Sequence, residues 1–162
     1  MLTIHTADEV RVDWDTDAEP LKDGAVAVDG DRIAAVGPLT EVAERFPGAR
    51  VRRWPGVLGP GLVHEGPLPD APSPRERVHA VLKGGAVAVL EEYVTSPDLR
   101  SAAARNDVAV LTRTQAQAQA QAQTRTRVPA IVEGERADLA VFDEGGACLA
   151  TVCAGRLIHR RR

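Results

Sequence analysis

Aromatic side chains are scarce: two Trp, two Phe and one Tyr make up 3% of the 162 residues. Without aromatic platforms, stacking recognition of single-stranded nucleic acid is excluded. There is no excess of positive charge either, since the formal net charge is −3. No nucleic-acid partner is expected from that balance. No apolar run approaches the ~20 residues of a membrane helix, so no membrane association is expected. The opening Met1-Leu2-Thr3-Ile4-His5 has no basic stretch before an apolar core, which excludes a signal peptide and points to the cytoplasm. The two cysteines, Cys148 and Cys153, are an odd number of residues apart. Strand alternation predicts opposite faces and reduced thiols, neither a disulfide nor a metal pair. Histidine is also sparse: His5, His64, His79 and His159 are all there are, and no two stand at His-x-His spacing.

The chain is long enough for one domain with a sizeable core. Its first third reads as short strands: Met1–Ile4, Val10–Trp14, and a hairpin of Ala25–Val28 and Ile33–Val36 across Asp29-Gly30-Asp31-Arg32. Leu39, Val42, Ala43 and Phe46 have helical spacing, and Pro47-Gly48 stops them. Val51–Trp54 returns to strand and leads into Pro55-Gly56-Val57-Leu58-Gly59-Pro60-Gly61-Leu62-Val63-His64-Glu65, where glycine and proline predict a sharp change of direction.

A different grammar follows. Ser73, Pro74 and Glu76 form a capping box that opens a helix ending at Gly84-Gly85. The apolar Ala86–Leu90 predicts a strand covered on both sides. Ser96-Pro97-Asp98 opens a second helix, and Val108–Leu111 is a third strand, a spacing that implies parallel pairing. From Thr114 the chain alternates Gln and Ala to Gln123. That run cannot bury a core and reads as a linker, helical in part. Strand and turn signals then return, through Gly134-Glu135-Arg136-Ala137-Asp138-Leu139, the Gly145-Gly146 turn, and two last strands around Gly155-Arg156. The final Arg160-Arg161-Arg162 reads as a solvated tail.

Three parts of this order resemble one family. The Gly24–Val36 hairpin with its short helix, Pro60-Gly61-Leu62-Val63, and the Gly-x-x-Ala-Asp-Leu closure resemble the composite domain of the amidohydrolase superfamily, imidazolonepropionase and its relatives. In that family a Pro-Gly-Leu-Val segment leaves a β-sandwich and enters the catalytic barrel, delivering two metal-binding histidines as His-x-His. The corresponding positions here hold Gly66 and Leu68. A full barrel takes about 250 residues, so the resemblance implies a barrel cut to a stub. The expected fold is α+β, mainly β: a composite β-sandwich of N- and C-terminal segments with a small inserted parallel α/β segment. The expected parts are residues 1–63 and 128–162 for the sandwich, 64–113 for the insertion and 114–127 for the linker. The resemblance also makes Asp138 structural, tying a turn to backbone amides.

The remaining chemistry is thin. His64 and Glu65 are the polar pair at the exit of the first barrel-like strand, where parallel α/β folds place their sites. They are the candidate metal ligands and catalytic groups, against a plain solvated strand exit. Glu91 and Glu92, beside Tyr93, could do acid–base work if buried; a strand end meeting solvent is the favoured reading. Arg113, Arg125 and Arg127 flank the linker, again as a solvated face. His79 reads as a boundary residue of its helix, and His5 and His159 as neighbours at the core edge. Two functions follow. The first is a non-catalytic amidohydrolase-like protein with no cofactor, which self-associates or binds a protein partner through the barrel stub. The alternative is a small metal-dependent hydrolase of cyclic C–N bonds, with zinc or another divalent ion held near His64 and Glu65.

Overall fold

The computed structural model describes residues 2–14, 19–116 and 130–161. The fold is α+β and mainly β, built on an eight-stranded mixed sheet and a three-stranded parallel sheet. The large sheet takes β1 (Leu2–Val10), β2 (Leu21–Lys22), β3 (Gly24–Asp29), β4 (Arg32–Pro38) and β5 (Arg50–Pro60) from the front of the chain. From the back it takes β9 (Leu139–Phe142), β10 (Cys148–Cys153) and β11 (Arg156–Arg160). The order β11-β10-β9-β5-β1-β3-β4, with β2 beside β1, makes the antiparallel β5–β9 ladder the seam between the two halves. The second sheet is β6 (Leu62–His64), β7 (Ala86–Leu90) and β8 (Ala109–Leu111), all parallel.

Local signals explain most elements. The β3–β4 hairpin turns at Gly30, which has φ 60°. Helix α1 (Leu39–Arg45) ends at Phe46-Pro47 and buries Val42. Helix α2 (Pro74–Lys83) starts where the Ser73 hydroxyl accepts the Glu76 amide, and α3 (Pro97–Arg105) where Ser96 accepts that of Leu99.

Two strand readings change. Leu2–Val10 is one continuous strand and residues 12–14 lie outside it. Its polar middle is buried: Thr6 Oγ1 donates to the Gly24 carbonyl at 2.6 Å, and Trp54 Nε1 donates to His5 Nδ1 at 3.2 Å. Second, Cys148 and Cys153 share a face. A bulge between Cys148 and Ala150 adds a residue, so Leu149 and Ala150 both pack on the inner core. Cys148 Sγ then lies 3.4 Å from Thr151 Oγ1, on the side Cys153 also faces. Both thiols are free. Burial pushes the Cys153 thiol up to about 12, reinforced by Asp138.

The large sheet curls until its ends meet. Arg32 bridges to Arg136, and the Ala137 amide donates to the Asp31 carbonyl at 2.7 Å. Inside lies a core of Val10, Val26, Ile33, Leu58, Leu139, Val141 and Val152. Outside, α1 covers Ile4, Ala25, Ala27 and Ala35. At the other end α2 and α3 sandwich β7 against the outer face of the sheet, with Leu82, Val87, Leu99 and Cys153 in one cluster.

Candidate functional site

The passage from one sheet to the other runs through Gly59-Pro60-Gly61. These glycines are required by space, not by a positive φ. A Cβ on Gly59 would stand 2.3 Å from the Trp14 ring, and one on Gly61 2.6 Å from the Val87 side chain. Trp14 Nε1 donates to the Pro60 carbonyl at 2.7 Å, and its ring meets Phe142 edge-on. The doorway is therefore clamped on both sides, and β6 begins one residue later.

The parallel pairing of β6 and β7 brings the two candidate clusters to the same end of the small sheet. His64 is half-buried, and its Nε2 lies 2.9 Å from the Pro67 carbonyl, inside its own exit loop. Glu65 is exposed. Glu91, Glu92 and Tyr93 form a single 3₁₀ turn after β7, with both carboxylates exposed. Glu92 meets Arg113 at 2.5 Å, and that partner raises the guanidinium above its ordinary value. Among the described residues no three His, Cys, Asp or Glu side chains converge on a point where a metal ion could sit. The family's divalent ion does not fit the donor set described here: its first two ligand positions hold Gly66 and Leu68, and the neighbouring imidazole is turned onto a carbonyl. Most of the Gln/Ala run, with Arg125 and Arg127, lies outside the described residues.

The best-ordered polar cluster sits where the two sheets join. Asp138 Oδ1 accepts the Ala154 amide at 2.9 Å and Oδ2 accepts Arg136 Nε at 2.7 Å. The first bond holds the β10–β11 turn, where Ala154 has φ 49°. Asp138 is thus a turn-tying carboxylate. Arg136 is half-buried beside Cys153, and Arg156 pairs with Asp107 at the end of α3.

His79 and His159 are neighbours across α2 and β11. Partial burial lowers the His79 pKa, helped by the charges of Lys83 and His159. His5 lies elsewhere in the mouth of the curled sheet, stacked with Trp54. Arg160, expected in a solvated tail, is on β11 with its Cζ 5.5 Å from the Trp54 ring centre. Sequence reasoning missed this arrangement. No spacing rule links residues 5, 52, 54 and 160; the only sign was the alternation of arginines at 50 and 52 on one strand.

Residues 24–49 match the imidazolonepropionase-like composite domain of bacteria. No curated protein matches the chain in sequence. In fold, the chain is similar to aminofutalosine deaminase of Helicobacter pylori, with TM-score 0.50 and 17% identity over 69% of this chain and 33% of that one. It is also similar to ochratoxinase of A. niger, with TM-score 0.50 and 18% identity over 68% and 30%. An adenosine deaminase from Xanthomonas campestris, solved with bound zinc, gives TM-score 0.51 and 21% identity over 67% and 33%. The chain thus spans about a third of the length of these proteins. At such identities the likeness is one of fold. No helix among the described residues is long and apolar enough to cross a membrane. The matched hairpin and helix, the seam that joins the two ends of the chain, and the shared fold bear out the resemblance to the amidohydrolase superfamily, as an imidazolonepropionase-like composite sheet carrying a short parallel α/β segment.

Proposed function

We propose that this chain is a non-catalytic protein of amidohydrolase-like fold that works through a protein interface, with the free edge of β8 as its contact with a second copy. One observation carries the reading. The parallel sheet runs β6-β7-β8 and stops; β7 is buried along its whole length, while β8 has no outer strand among the described residues and leaves Val110 38% exposed. An open edge with an exposed apolar side chain is a template for pairing. A two-fold axis perpendicular to that edge sets β8 antiparallel to its own copy, the isologous geometry most homodimers use. The loss of chemistry is supported by the donor set: Gly66 and Leu68 cannot bind metal, His64 is engaged with Pro67, and Glu92 with Arg113.

Sedimentation at micromolar concentration tests the interface. A dimer is expected, and Val110→Lys is expected to give a monomer with unchanged circular dichroism. A wild-type monomer would overturn the interface. Metal content tests the rest. After exposure to zinc and dialysis, less than about a tenth of an equivalent is expected, because zinc needs three or four converging donors. Near one equivalent, lost in His64→Ala, would instead establish the small metal-dependent hydrolase of cyclic C–N bonds.

A further inference from the structure

The arginines of β5 and β11 converge without a counter-charge. Arg50 and Arg52 lie on the face of β5 that carries Trp54, because strand residues two apart share a face. Arg160 comes over the same Trp54 from β11. Desolvation, then the charges of Arg50 and Arg160, lower the Arg52 pKa below its ordinary value, so the three guanidiniums repel one another. Among the described residues none of the three meets a carboxylate, whereas Arg113, Arg136 and Arg156 each do. Repulsion of this kind is relieved by an anion.

Beside Arg52 the mouth of the curled sheet holds a cavity of about 110 Å³ with Thr3, His5 and Arg52 in its lining, walled at one side by Gly30 and Gly155. A water molecule needs about 10–15 Å³ of such space, so a tetrahedral oxyanion has room here. His5 is only 3% exposed. Burial, with Arg52 as the second cause, pushes its pKa down to about 4, so the ring is neutral at pH 7. Its Nδ1 accepts from Trp54, which leaves the proton on Nε2, and that N–H has no partner among the described residues. A buried donor without an acceptor costs about 1–3 kcal/mol.

We infer that this mouth binds a small oxyanion of the phosphate type, with Arg52 and Arg160 supplying charge and His5 and Thr3 supplying donors. A guanidinium fork pairs two of its N–H groups with two phosphate oxygens. The cation–π contact with Trp54 holds Arg160 in place before the ligand arrives. Because the cavity has room for the oxyanion and opens to solvent, the ligand is either free phosphate or the head of a phosphomonoester.

Titration calorimetry on the full chain tests this, with inorganic phosphate in one arm and glycerol 3-phosphate in the other. One equivalent is expected to bind in at least one arm; tighter binding of the ester identifies an organic phosphate, and tighter binding of phosphate the free ion. Arg52→Gln and Arg160→Gln are each expected to weaken binding at least tenfold, while Arg113→Gln, on the other sheet, leaves it unchanged. Arg160 is exposed and Arg52 half-buried, and circular dichroism confirms the fold of both variants. No heat from either anion at millimolar concentration overturns the site, as does Arg52→Gln binding like wild type. Binding of an oligonucleotide with neither small anion also overturns it.

Discussion

The eight-stranded sheet curls until two of its turns lock together, and the three-stranded sheet does not. In the first, the β3–β4 turn touches the β10–β11 turn so tightly that a Cβ on Gly155 would stand 1.8 Å from the Gly30 carbonyl. Hydrogen bonds between residues 134–137 and Asp31 and Ile33 of the hairpin reinforce that contact. In the second, helices cover one side, the doorway strand β6 forms one edge, and β8 ends the sheet. That lock holds the large sheet in its curl, although β4 and β11 each keep a single ladder partner. The small sheet depends on neighbours: α2 packs on β10 and β11, and the Thr151 hydroxyl donates to the Leu82 carbonyl at 2.6 Å. A layer that borrows its cover from another sheet has no independent reason to be stable.

The lock can be broken most severely at Gly155. Its φ of 80° and its contact with Gly30 leave no room for a side chain. Gly155→Ala is expected to cost at least about 3 kcal/mol, combining a disfavoured backbone with overpacking. Denaturant unfolding followed by tryptophan fluorescence measures it; both tryptophans, Trp14 and Trp54, report on the large sheet. A cost under about 1 kcal/mol would mean that the sheet ends are not locked together.

Next in size is a pH effect centred on His5 in the large sheet. The pKa of His5 falls from 6.5 unfolded to about 4 folded, by desolvation first and Arg52 second. The unfolded chain therefore binds the extra proton between those values, and stability present above pH 6.5 is lost as pH falls toward 4. At about 1.4 kcal/mol per unit the full loss is about 3 kcal/mol. Stability measured from pH 7.5 to 4.5 in wild type and His5→Gln is expected to diverge over this range, with the variant flatter. Parallel curves would show that His5 is not responsible.

The smallest effect sharpens the dependence of one sheet on the other. Thr151→Val removes the hydroxyl that meets Leu82, whose carbonyl still accepts from the Gly85 amide. About 1 kcal/mol is expected, with fluorescence and far-ultraviolet dichroism melting together. Separate transitions would show that the small layer unfolds on its own.

Features set by neighbours along the chain were legible. Ser73 with Glu76 and Ser96 with Leu99 are caps closed within four residues, and the Asp29-Gly30 turn needs only its two strands. The composite organisation was legible through the doorway and the Gly-x-x-Ala-Asp-Leu closure, because each carries its own turn chemistry. Long-range polar satisfaction was not. His5 reads as a core-edge residue beside His159, and nothing in the sequence shows that Trp54 bonds His5 or that the Gly24 carbonyl receives Thr6. The bulge at Leu149 was equally hidden, since the extra residue is defined only against Phe142 and Val141 on β9.

What the sequence by itself determined is most of the elements, the helix starts, and the absence of the His-x-His pair, all local properties of adjacent residues. Only the tertiary structure decided that the sheet would curl, that β8 would be left as an edge, and that Arg52 and His5 would share one mouth with Arg160 close by over Trp54. The reason is physical: these depend on which strands pair across a hundred residues, and pairing is chosen by the burial of whole faces together, not by any short stretch of chain.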